Sequence, residues 1–164
     1  MKRQIFLLSL SAGCCALPAT AEERSPRDQV VEIYRVAAGP KGDYLSPSPF
    51  DDRRVRKHFT KSLLNAENAV DLRSKKLTEP ILDFDPVSNS QEPSVRNLSI
   101  AVESADAAKA VVAATFDREG RPLRNVVRCI FVREGRGWKL DDMRGEEGED
   151  KWDLRELLNP KAAP

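Results

Sequence analysis

Downstream of Leu77 the chain changes its hydrophobic period, and that change constrains the fold more than any other feature. Before it, apolar side chains recur at helical spacing, with Val30, Ile33, Tyr34 and Ala37 in one stretch and Val55, Phe59, Leu63, Ala66 and Val70 in the next. After it they alternate: Leu98, Ile100 and Val102; then Ala110, Val112, Ala114 and Phe116; then Val127, Cys129 and Phe131; then Trp138 and Leu140. Period two places one side chain in two on the same face of a sheet. Helices first and strands afterwards is an α+β order, not the alternation of a parallel nucleotide-binding sheet.

Local punctuation sets the boundaries. Ser25-Pro26-Arg27-Asp28 reads as a cap, a proline whose missing N–H costs nothing, and an acid three residues beyond the cap. A first helix is therefore predicted over 26–38, stopped by Gly39-Pro40. Ser48-Pro49-Phe50-Asp51 repeats the signal, and a long second helix follows with its arginines and lysines on the flanks; a break, if any, is expected near Asn65 to Asn68. Pro80, Pro86 and Pro93 then divide an extended stretch, since proline fits neither helix interiors nor central strands. Four strands are predicted beyond it, the last three joined as a meander by the turns at Asp117–Pro122 and Arg133–Gly137. Glu146, Glu147, Glu149 and Asp150 read as a solvated loop, and Trp152, Leu154, Leu157 and Leu158 as a short closing helix. The expected fold is α+β, with N-terminal helices packed on a curved antiparallel sheet that leaves a cone-shaped cavity at one end.

The first 21 residues read as an address. Lys2 and Arg3, the apolar run from Ile5 to Leu17 and Ala19-Thr20-Ala21 have the pattern of a cleaved secretory signal, which predicts a mature chain from Glu22 in the periplasm or outside the cell. Cys14 follows Ser11-Ala12-Gly13 as in a lipoprotein signal, but Leu10 stands four places before it rather than three, so lipid anchoring is the lesser alternative. Domain limits follow: 1–21 signal, 22–158 one α+β domain, 159–164 a fraying tail. Cleavage removes Cys14 and Cys15 and leaves Cys129 as a single thiol, so packing alone must hold the domain. It also turns 27 basic against 26 acidic residues into 25 against 26, because Lys2 and Arg3 depart. A near-neutral exported domain has no basic excess for nucleic acid. No stretch approaches the roughly 20 apolar residues of a membrane span.

Pro80-Ile81-Leu82-Asp83-Phe84-Asp85-Pro86, with Gln91-Glu92 and Gly137-Trp138-Lys139-Leu140-Asp141-Asp142 after it, behind two helices, resembles a family of exported bacterial proteins of unknown function. That family belongs to the nuclear-transport-factor-2-like (cystatin-like) superfamily, and the likeness runs from about Pro26 to Leu158. Val87 stands where the family commonly has an aromatic, and Glu92 where it usually has Asp. The resemblance implies the cone architecture and marks Asp83, Asp85 and Gln91 as the candidate ligand-binding loop. It implies no reaction.

Read as chemistry, Asp83 and Asp85 suit a general base only if a dry pocket raises their pKa. Against a calcium-loop template begun at Asp83, Val87, Ser88 and Ser94 occupy the fifth, sixth and twelfth positions and fail it. The expected role is structural: their carboxylates accept backbone N–H groups and shape a turn. His58, the one histidine, excludes a multi-histidine metal site and reads as a partly exposed helix-flank residue. Cys129 alternates with core residues and reads as a buried, inert thiol. The run Arg53 to Lys57 reads as a solvated helix face. Asn97-Leu98-Ser99 matches the glycosylation pattern, but on a predicted strand it carries little weight. No cofactor or metal is expected. These readings favour a non-enzymatic binding domain, for a small apolar molecule or a protein partner at the cone mouth. The alternatives are a pocket enzyme with Asp83 or Asp85 as base, and a surface-recognition inhibitor or immunity-type protein.

Overall fold

The computed structural model describes residues 23–38, 52–77, 80–91, 94–118 and 124–159. The signal segment with Cys14, the Gly39-Pro40 stop, the Ser48–Asp51 helix start, most of the turn after Asp117 and residues 160–164 lie outside the described residues.

Helix α1 spans Pro26–Ala38. Its start is the capping arrangement expected: Asp28 N–H donates to Ser25 Oγ at 3.1 Å, and the Ser25 hydroxyl donates to the Asp28 carboxylate at 2.7 Å. Val30, Ile33 and Tyr34 are buried.

The second helical stretch is not continuous. It divides into α2 (Arg53–Arg56) and α3 (Lys61–Leu77), so the break falls at 57–60, while Asn65 to Asn68 lie inside α3. Tertiary hydrogen bonding explains the position. Residues 58–60 run beside the strand holding Leu140: Leu140 N–H donates to His58 O at 2.7 Å and Thr60 N–H to Leu140 O at 2.8 Å, a parallel bridge centred on Phe59. Those two backbone groups of Leu140 would otherwise be unpaired beside a core, which costs more than one interrupted helical turn. Thr60 then caps α3, its Oγ1 accepting from Leu63 N–H at 3.0 Å. Asp52 caps α2 in the same manner. Despite the break, Val55, Phe59, Leu63 and Val70 are all buried.

The described residues hold a five-stranded antiparallel sheet in simple meander order: β1 (Arg96–Ala105), β2 (Lys109–Asp117), β3 (Asn125–Glu134), β4 (Gly137–Glu147) and β5 (Asp150–Asp153), followed by α4 (Leu154–Leu157). The period-two runs of β2 and β3 face one core, in which Val112, Ala114, Phe116, Val127, Cys129 and Phe131 join Val30, Ile33, Tyr34, Val55, Phe59 and Leu63. Tyr34 and Phe116 meet as tilted rings 5.9 Å apart. Ile100 and Trp138 join this cluster only as half-buried neighbours.

Three sequence expectations are corrected here. The alternation of Leu98, Ile100 and Val102 on β1 does not mark a fully covered face: Leu98 and Val102 are 39% and 49% exposed, and Ile100 is half-buried. The acidic segment is a hairpin, not a loop. Glu146 and Glu147 end β4 in ion pairs with Arg128 (3.0 Å) and Arg118 (2.5 Å), Gly148 turns at φ +63°, and Asp150 opens β5. Trp152 belongs to that fifth strand rather than to the closing helix. It stands opposite Gly145 in the register, and a Cβ on Gly145 would overlap its indole. Among the described residues no helix is long and apolar enough to cross a membrane.

Candidate functional site

The Asp83–Gln91 loop packs against the core and spends its polar groups on doing so. The Asp85 carboxylate accepts from Val87 N–H at 3.0 Å and from the Ser88 hydroxyl at 2.9 Å, and its backbone N–H donates to Ser90 O at 3.0 Å. Asp85, Val87 and Ser88 are buried. Tyr34 donates to Val87 O at 2.8 Å. Asn89 sits in the left-handed region at φ +51°. Its backbone oxygen accepts from Arg118 at 2.6 Å, its side-chain oxygen from Trp152 Nε1 at 2.6 Å, and its amide donates to Asn125 at 2.9 Å. The indole also meets Phe84 edge-on at 5.1 Å. Asp83 is exposed and accepts from Gln91 Nε2 at 3.1 Å. Asp83 and Gln91 therefore touch each other, while Asp85 faces inward on its own turn.

Asp85→Asn is expected to lower unfolding stability by about 1–2 kcal/mol, because an amide cannot accept from both donors and loses charge-assisted strength. Asp83→Asn, with its single exposed contact, is expected to stay within about 0.5 kcal/mol of the parent. Urea midpoints measured side by side check the pair; a higher midpoint for Asp85→Asn would contradict the structural role.

A cleft of about 440 Å³ opens elsewhere, where the start of α1 meets the α2–α3 junction and β4. Glu23, Arg24 and Gln29 contribute from the first, Lys57 and His58 from the second, Trp138 and Lys139 from the third. Gln29 organises its floor. The Gln29 amide nitrogen donates to Trp138 O at 3.0 Å and to Arg24 O at 3.3 Å, so its oxygen faces His58 Nδ1, 2.9 Å away. With both amide protons placed, that oxygen can only accept, and the neutral imidazole must carry its proton on Nδ1. Nε2 is left as a lone pair, buried, making no hydrogen bond and standing 3.3 Å from Glu32 Oε2.

The electrostatics follow from this packing. Burial pushes the His58 ring down to about 4; Glu32 opposes that shift, and the cations Lys57, Lys139 and Arg24 reinforce it. The Lys57 ammonium, at 2.5 Å, holds the Glu32 carboxyl below its ordinary range, with Arg24 as its other partner. The neighbouring arginines are likewise engaged, Arg54 with Asp52 at 2.6 Å and Arg56 with Glu67. His58 is thus not the partly exposed flank residue expected. The helix stops at Arg56, and the turn that follows carries the ring under α1. Gln29 and Glu32 carry the signal, three residues apart on one face of α1, but their partner lies 29 residues from Gln29 and no local pattern joins them.

Burial raises the Cys129 thiol to about 12, so it is no nucleophile at neutral pH. Asn97 lies on β1 at φ +51° and donates to Asp117 at 2.9 Å. Among the described residues no three His, Cys, Asp or Glu side chains are grouped to hold a metal ion. No protein-family model matches the chain, and comparison with curated proteins and with solved structures gives no significant match.

Proposed function

We propose that the mature chain is an exported domain of the nuclear-transport-factor-2-like (cystatin-like) cone kind that binds a small molecule without converting it, and that the His58 cleft receives it. The observation that carries this reading is the state of the cleft's titratable groups. His58 is tied to Gln29 on one nitrogen and sealed beneath Glu32 on the other, while Glu32 is shared between Arg24 and Lys57. These contacts hold the His58 ring in place, and a recess of this size suits ligands of metabolite dimensions. Binding rather than proton transfer is supported because a general base needs its lone pair within reach of the substrate. The Ala19-Thr20-Ala21 cleavage pattern supports export.

Mass spectrometry of protein recovered from periplasmic extract tests both parts. The expected result is a chain starting at Glu22 and, under native conditions, a non-covalent small-molecule adduct that disappears in Trp138→Ala. A diacylated N-terminal Cys14 would replace the soluble form by an anchored one. An adduct indifferent to Trp138→Ala would move the site out of the cleft.

A further inference from the structure

The charges around the cleft do not cancel. Arg24 and Lys57 share a single carboxylate, Glu32, while Glu23 is paired with Arg133. Lys139 donates to Lys57 O at 2.6 Å and has no carboxylate partner among the described residues. Three cations, Arg24, Lys57 and Lys139, and one carboxylate, Glu23, therefore line the recess, on a chain whose formal net charge is only +1. The recess is open to solvent, so this excess acts with the moderate strength of charges near a protein surface. At the floor, Lys57, Lys139 and Arg24 each push the His58 ring downward against the opposing pull of Glu32. The apolar contribution comes from Trp138, which is half-buried and carries the Arg133 guanidinium 4.1 Å from its ring centroid. That stacking holds the indole in place; the ring also packs against the core cluster, and the part of it that lines the cleft is what a ligand can meet.

We propose that the cleft selects a small organic monoanion, an acid whose carboxylate meets Lys139 and whose flat or apolar body lies along Trp138. Lysine offers a compact point charge that meets a single anionic group, and the indole beside it favours an anion with an organic body over a bare inorganic ion. Charge places the ligand; the indole gives it most of its contact area. This rests on the reading that the cleft binds a small molecule, and the probes separate the two ideas.

Phenylacetate, phenylacetamide, 2-phenylethylammonium and inorganic phosphate would each be titrated by calorimetry into the mature protein and into Lys139→Met. The expected order is phenylacetate first and the isosteric amide at least about tenfold weaker, with the amine and phosphate weaker still. Lys139→Met should weaken phenylacetate about tenfold and leave the amide unchanged. Equal binding of acid and amide, or preference for the amine, would overturn anion selectivity while leaving a small-molecule site intact. Phosphate binding as tightly as phenylacetate would overturn the organic-acid class. Failure of all four probes would overturn the proposal, and a native adduct kept in Trp138→Ala would in addition remove the cleft as the binding site.

Discussion

Phe59→Ala is expected to cost about 3–5 kcal/mol of unfolding free energy, the range for deleting a buried aromatic ring without collapse of the site. Phe59 is 4% exposed and lies in the cluster that joins α1, α2, α3 and the sheet. Relaxation is blocked on both sides. Its backbone is held against Leu140 by the bonds at His58 and Thr60, and Thr60 also donates to Asp141, which pairs with Arg155 at 2.5 Å. The cavity left by the ring therefore cannot close by a shift of the segment. A typical domain of this size holds only about 5–15 kcal/mol in reserve, so the loss is a large share of it. Urea unfolding measures the loss directly, with Leu72→Ala, at 62% exposure, as the surface control. A loss below about 1 kcal/mol would show that Phe59 is not packed as described.

Acidification should expose the buried His58 with an effect of similar size. Its folded pKa, about 4, lies below the ordinary histidine value of 6.5, so the native state prefers the neutral ring. The stability this represents is complete above pH 6.5 and is lost as pH falls from 6.5 to 4, amounting to roughly 3 kcal/mol. Other groups titrate in acid as well. The lowered pKa of Glu32 contributes stability that is lost as pH falls through its folded value. Asp142, raised by burial and by Asp153, contributes in the opposite sense, favouring the fold in acid and losing that contribution as pH rises. A comparison with His58→Gln isolates the imidazole. The advantage of the parent over the variant should be flat above pH 6.5 and shrink by roughly 3 kcal/mol by pH 4. Parallel stability curves for the two proteins would show that His58 is not held neutral.

What was legible in the sequence was what local chemistry decides. Ser25, Pro26 and Asp28 form a cap from adjacent atoms, and α1 has the predicted limits. Strands β2 and β3 are covered by helices on one face, so their alternation showed directly. Features decided by distant partners were hidden. The break at 57–60 answers to Leu140, some eighty residues onward, whose polar groups leave no mark on the apolar stripe of the helix. Trp152 keeps the same spacing in a strand as in a short helix, and its placement depends on the space left by Gly145. Leu98, Ile100 and Val102 alternate well, yet periodicity says nothing about whether a strand ends up central or at an edge. Of the site, the Asp85 turn was legible because its acceptors reach only two or three residues along the chain. The cleft, assembled from three separated segments, was not.

The buried Cys129 thiol makes the fold its own reporter of opening. In a chain that starts at Glu22 it is the single sulfhydryl, fully buried on β3 beside Met143 of β4 and Val112 of β2. With its pKa raised to about 12, it offers essentially no thiolate to a maleimide or a disulfide reagent while the sheet is closed. Modification must wait for the central strands to part. The labelling rate under native conditions therefore counts excursions of the core itself, without denaturant, isotope exchange or an added probe. In an oxidising compartment, that same rate sets how often two copies of the molecule can become covalently joined.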